Sequence, residues 1–92
     1  MGELVRYKYI FTGRVQGVGF RYKAAYTANK YHITGNIRNE YDGSVIAELQ
    51  GTDAAIDMFF QTMNNDRFID IQGIDFKKLP VDEGESSFTV LD

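Results

Sequence analysis

The strongest constraint on this chain is a change of apolar period, made within nine residues. Tyr7, Tyr9 and Phe11 alternate with Arg6, Lys8 and Ile10, the period of a strand with one buried face. The chain then runs through "GRVQGVGFR", Gly13 to Arg21, and resumes at Phe20, Ala24, Ala28 and Tyr31, the spacing of one helix face. A strand that stops in glycines and feeds a helix aims several backbone N–H groups, and the positive end of the helix dipole, at one point. Such a concavity suits an anion. The same glycines also serve as a steric device for positive-φ positions, and spacing by itself leaves both readings open. The stretch is no Walker loop, because "GxxxxGK[ST]" is absent, and it lacks the third glycine of a dinucleotide fingerprint. Arg21 favours the anion: a guanidinium at the positive end of a helix is unfavourable unless it too faces a negative ligand, which it grips with two donors.

The rest of the chain continues to switch periods. Ile33 to Asn39 reads as a strand, "YDG" (Tyr41 to Gly43) as a tight turn, and Val45, Ala47 and Leu49 as the inward face of a returning strand. Thr52 or Asp53 caps a second helix carrying Ile56, Phe59, Phe60 and Met63 on one face, and "NND" (Asn64 to Asp66) ends it. Ile69 and Ile71 alternate, and Ile74 and Phe76 resume in the opposite phase, so one extra residue near Gly73 forms a bulge. Pro80 and Gly84 mark a loop, and Phe88 with Val90 forms a last short strand. The order is βαββαβ. Two helices are too few to cover both faces of the sheet, so the expected class is α+β: an antiparallel sheet with both helices on one side.

Composition narrows the function classes. Residues 1–92 hold one modest core with no linker or repeat, and are read as a single domain. No cysteine is present, which removes disulfides, thiol nucleophiles and cysteine metal sites and fits a reducing compartment. No apolar run approaches the ~18 residues of a membrane helix, nor the core of a signal peptide. A net charge of −3 argues against a broad nucleic-acid surface, so any anion site must be local. A soluble, cytoplasmic monomer is expected.

At "GRVQGVGFR" (13–21), "GNIRN" (35–39) and "DGSV" (42–45) the chain resembles the acylphosphatase family, closely from Tyr7 to Gly51 and beyond that mainly in its helix-then-strand pattern. The resemblance implies a ferredoxin-like sandwich and hydrolysis of small acyl phosphates to a carboxylate and inorganic phosphate. It assigns the phosphate cradle to the backbone of Gln16, Gly17, Val18, Gly19, Phe20 and Arg21. It makes Arg21 the essential arginine and Asn39 the residue that positions water. It implies no metal and no cofactor. The chain departs from the family at Asn36, where an aromatic residue is common after the glycine, and at "DRFIDIQGID", which lacks the usual small-residue and proline-containing turn.

The chemistry suits these residue types. Phosphoryl transfer spreads charge over three equatorial oxygens, so preorganised donors matter more than covalent catalysis. Asn39 hydrogen-bonds water through its oxygen and its amide without adding a charge that repels phosphate. A turn-flanking role also suits Asn39. Asn36 is a rival that strand alternation places on the opposite face. His32, the single histidine, falls late in the first helix pattern and reads as a partly exposed structural residue. Two other readings stand beside the enzyme: a noncatalytic anion-binding or regulatory module of the same fold, and a domain of a larger carbamoyl-transferring machine, disfavoured because the chain ends at residue 92.

Overall fold

A computed structural model describes residues 2–91, so the two end residues of the expected 1–92 domain lie outside the described residues. Seven elements follow one another: β1 (Val5–Arg14), α1 (Phe20–Lys30), β2 (Thr34–Asn39), β3 (Val45–Gly51), α2 (Asp53–Asn64), β4 (Asp70–Leu79) and β5 (Phe88–Val90). The sheet order is β4-β1-β3-β2-β5. The pairs among β1 to β4 are antiparallel, but β5 lies parallel to β2, so the sheet is mixed rather than wholly antiparallel. The cause is the route of residues 80–87. Strand β4 occupies one edge and β5 the other, so the connection must traverse the sheet, and the short strand it delivers runs with its neighbour.

Alternation decides what is buried. Tyr9, Phe11, Ile37, Ala47 and Leu49 face the helices and are buried, together with Phe20, Ala24 and Ala28 of α1 and Ile56, Phe59 and Met63 of α2. Phe60 packs at the margin of this core. Thr27 is also buried on α1, where its hydroxyl donates to the carbonyl of Lys23 at 2.8 Å, which is how a polar group joins an apolar helix face without an unpaired donor. Truncation of a fully buried ring such as Phe59 costs about 3–5 kcal/mol.

The helix ends follow their sequence signals. Thr52 is the N-cap of α2, its side chain accepting from Ala55 N at 3.1 Å. Helix α1 ends in paired hydrogen bonds, Ile33 N to Ala28 O at 2.8 Å and His32 N to Asn29 O at 3.4 Å. They place exposed His32 in the left-handed region at φ 60, the position a helix terminus usually gives to glycine. The histidine thus lies just beyond α1 rather than within its last turn. The β1–β4 register shifts between Thr12, opposite Gly73, and Gly13, opposite Ile71, which leaves Gln72 as the extra residue of a bulge. It returns Ile71, Ile74 and Phe76 to the helix side despite their opposite phases.

The other sheet face carries Arg6, 6% exposed. Its guanidinium donates to Glu48 Oε1 at 2.9 Å, Gln50 Oε1 at 3.2 Å and Glu85 Oε1 at 2.7 Å. Gln50 in turn donates to Asp82 O at 2.9 Å and accepts from Asp82 N at 2.8 Å. This network fastens the 80–87 connection to β1 and β3. Burial on its own would raise the Glu85 carboxyl, but the hydrogen bonds from Arg6 and Thr34 and the charge of Arg6 outweigh it and hold Glu85 below the usual carboxylate range.

Candidate active site

The cradle begins where β1 leaves its pairing. Gly17 and Gly19 take φ values of 75° and 78°, in the left-handed region that costs an ordinary L-residue about 1–2 kcal/mol. A Cβ at either position would meet nothing within 4 Å, so glycine is required by backbone conformation rather than by packing. Gly19 is the N-cap of α1 and provides no side-chain acceptor. The first helical bond is Lys23 N to Gly19 O at 3.0 Å, so the N–H groups of Phe20, Arg21 and Tyr22 have no intrahelical partner. Among the described residues no N–H from Gln16 to Arg21 donates to a turn or loop carbonyl either. A run of unpaired donors at a helix N-terminus is an anion receptor in search of an anion.

These donors border a cleft of about 130 Å³ lined by Val15, Gly17, Gly19, Phe20, Arg21, Tyr22 and Asn39. The structure therefore brings Gly17, Gly19, Phe20, Arg21 and Asn39 together from two separate elements. Gln16 and Val18 do not line it. The Gln16 side-chain amide donates to the carbonyls of Glu40 at 2.7 Å and Ser44 at 2.8 Å, which ties the cradle to the β2–β3 turn, and Val18 packs half-buried against the core. The cradle role expected of their backbone N–H groups is therefore taken up below as part of the proposed function. Val15 and Tyr22 are additional lining residues. Val15 carries the inward alternation one step past β1, and Tyr22 falls off the Phe20–Ala24 helix face, so their phases were the available signals.

Arg21 Nη1 donates to the carbonyl of Leu91 at 2.9 Å, and its Cζ lies 5.9 Å from the centroid of the Tyr22 ring. The guanidinium is thus held at one corner, while its remaining donors make no hydrogen bond among the described residues. Asn39 pairs with Val45, which puts it on the helix side, whereas Asn36 pairs with Glu48 on the opposite face. Asn39 Oδ1 is buried and has no hydrogen-bond partner. An unpaired buried acceptor costs about 1–3 kcal/mol, and a water donating to it removes that cost. At the turn that follows, Asp42 Oδ1 accepts from the Ser44 hydroxyl at 2.6 Å and the Ser44 N–H at 2.9 Å. These bonds draw its carboxyl below the usual range.

No group of three or more His, Cys, Asp or Glu positioned to hold a metal occurs among the described residues. The site's resources are backbone amides, one guanidinium and one carboxamide. That set fits chemistry in which charge accumulates on phosphoryl oxygens.

Comparison with known proteins agrees with the geometry. The acylphosphatase family model matches residues 7–90. Acylphosphatase from Clostridium acetobutylicum is 39% identical over 87 residues, covering 94% of this chain and 96% of that protein, and one from Clostridium perfringens is 38% identical over 87 residues, covering 94% and 98%. The crystal structure of acylphosphatase from Bacillus subtilis superposes with a TM-score of 0.85 at 31% identity, covering 96% of this chain and 99% of that one. Full-length HypF, in a phosphate- and nucleotide-bound form, contains the same fold in 12% of its length, at 21% identity and a TM-score of 0.83; that likeness concerns the fold alone. With the family match running from β1 to β5 and relatives of that name aligned across nearly their whole length, the chain belongs to the acylphosphatase family.

Proposed function

We propose that this chain hydrolyses small acyl phosphates, holding the phosphoryl group on the backbone N–H groups of Gln16, Gly17, Val18, Gly19, Phe20 and Arg21 and on the Arg21 guanidinium, with the attacking water held by Asn39. The observation that carries the reading is the buried, unpartnered Asn39 Oδ1 on the wall of the cleft that the unpaired cradle donors border. A pure anion binder needs the donors but has no use for a buried acceptor opposite them.

In this reading the water hydrogen-bonds to Asn39 Oδ1 through an O–H that it keeps, and directs its lone pair at phosphorus. The phosphorus–oxygen bond to the acyl group breaks as the new bond forms, and the acyl group leaves with its electron pair as a carboxylate. The water's other proton passes to a phosphoryl oxygen, so the products are carboxylate and inorganic phosphate. A carboxylate is a good leaving group and needs no general acid. Charge on the equatorial oxygens is met by fixed N–H dipoles and Arg21, which need no reorganisation during reaction. We read the chain as one domain acting as a monomer in the cytoplasm.

Release of inorganic phosphate from benzoyl phosphate by the purified chain tests the reading. Turnover is expected, with inorganic phosphate competing with substrate because the product occupies the same donors. Absence of turnover, with phosphate still bound, would leave the noncatalytic anion-binding module as the better account.

A further inference from the structure

A second cleft, of about 250 Å³, opens between β1, β4 and the first turns of α2. It shares no lining residue with the cradle cleft. It also lies toward the opposite end of α2, whose C-terminal side reaches the cradle helix through a 2.8 Å ion pair from Asp66 to Lys23. Its walls are aromatic. Tyr9 meets Phe60 edge-on at 5.0 Å, Tyr7 meets Phe76 edge-on at 6.1 Å, and Tyr7 and Tyr9 are neighbours at 5.8 Å. Phe76, although on the helix side of the sheet, is 69% exposed, because β4 is an edge strand beyond the cover of α2.

Two carboxylates stand at this cleft, Asp53 and Asp57, one helical turn apart on α2. Asp53 gains from the helix dipole at the first turn, but Asp57 does not share that position, and like charges at this spacing oppose each other. Neither forms an ion pair among the described residues, whose bridges are Arg6 with Glu48 and Glu85, Lys23 with Asp66, and Arg38 with Glu40. The cation nearest by register, Lys78, stands opposite Tyr7 across β1 and β4 and reaches neither carboxylate. Tyr9 lines the cleft, is 8% exposed, and its hydroxyl has no hydrogen-bond partner among the described residues. Burial first, and then the neighbouring Tyr7, Asp53 and Asp57, push that hydroxyl up to about 12, so it stays neutral and its ring stays electron-rich.

We propose that this cleft binds a small alkylated ammonium cation, its charge between Asp57 and Asp53 and its methyl or methylene groups against the faces of Tyr7, Tyr9, Phe60 and Phe76. Ring faces attract cations, and diffuse, weakly hydrated charge of this kind suits aromatic walls. A divalent metal is a poor occupant, because it requires about six oxygen ligands at fixed distances and the side chains lining the cleft provide two carboxylates and two neutral tyrosine hydroxyls among apolar carbon. The volume of about 250 Å³ is ample for an ammonium with a few carbons.

The test uses choline as probe, titrated into the full chain at constant ionic strength and read from the N-methyl proton resonance. Saturable binding is expected with a dissociation constant on the order of millimolar, the resonance moving upfield as ring currents act on it. The neutral isostere 3,3-dimethylbutan-1-ol is expected not to bind. Asp57→Asn and Phe76→Ala replace exposed side chains, and each is expected to weaken choline binding at least about fivefold while phosphate release from benzoyl phosphate stays within about twofold. Failure of choline to saturate, equal binding of the neutral alcohol, or undiminished binding in both folded variants would overturn the proposal. None of these outcomes depends on the reading of the cradle.

Discussion

The side-chain amide of Gln16 lies 2.8 Å from the carbonyl oxygen of Ser44 and donates to it, so the proposed phosphate cradle and the turn after Asn39 are one mechanical unit. A second bond from the same amide to Glu40 O at 2.7 Å completes the tie. Gln16→Ala removes both bonds without touching the cradle's N–H groups. It is expected to destabilise by about 1–2 kcal/mol and to lower turnover about tenfold, through a looser relation between phosphate and water. Denaturant midpoints and phosphate release measure the two effects; full turnover in the folded variant would show that the tie has no catalytic consequence.

Arg21 and Asn39 should separate by kinetic parameter. Arg21→Lys keeps a charge but loses the fork, and both turnover and phosphate affinity should fall, turnover by on the order of 10²–10³ as for loss of a preorganised donor. Asn39→Ala should lower turnover steeply while phosphate inhibition changes by less than about tenfold, or roughly 1.4 kcal/mol. Near-normal turnover in folded Asn39→Ala would make Asn39 a turn residue only.

Gly19→Ala probes the backbone itself. At φ 78°, with open space where the Cβ would go, the expected cost is about 1–2 kcal/mol from conformation alone, with phosphate affinity lost as the N–H groups turn away. The converse holds at His32, whose φ of 60° makes His32→Gly neutral or stabilising by up to about 1 kcal/mol. Thermal midpoints of the two variants should move in different directions or, for His32→Gly, not at all.

The Arg6 network makes stability sensitive to acid. Glu85 is held below its ordinary 4.5, so its ion pair contributes stability that is present above that value and lost as pH falls through the lower folded one. Glu85→Gln should therefore show a flatter stability–pH curve below about pH 4.5, measured by denaturant unfolding. Arg6→Met, which strands Glu85 and Glu48 without their cation, should cost on the order of 3 kcal/mol near neutral pH.

Activity should persist in excess chelator, because the proposed chemistry runs on N–H groups, a guanidinium and a carboxamide. Loss of phosphate release that Mg²⁺ restores would overturn the mechanism.

Much of this protein is set by residues a few positions apart. The alternation of Tyr7, Tyr9 and Phe11, the helix face of Phe20, Ala24 and Ala28, the Thr52 cap and the phase slip at Gln72 are local patterns. Local sterics and hydrogen bonding read them the same way in any context. Gly17 and Gly19 belong to this class, since positive φ is a property of a residue and its neighbours, and so does the separation of Asn39 and Asn36 onto opposite faces, whereas the choice of Asn39 between them comes from the family resemblance. Other features needed the assembled sheet. The parallel seat of Phe88–Val90 beside β2 has no signature in three residues, because a short strand takes its partner and direction from the path that delivers it. Arg6 reads as a solvated alternate-face cation, yet it is buried because Glu85 and Asp82, some eighty positions away, fold over it. The Leu91 carbonyl that holds Arg21, the double role of Gln16 and the aromatic cleft under Asp53 and Asp57 likewise join residues from distant parts of the chain. Local chemistry specifies which groups are present and how each segment bends, whereas which groups meet is settled by long-range packing, and both candidate sites are made of such meetings.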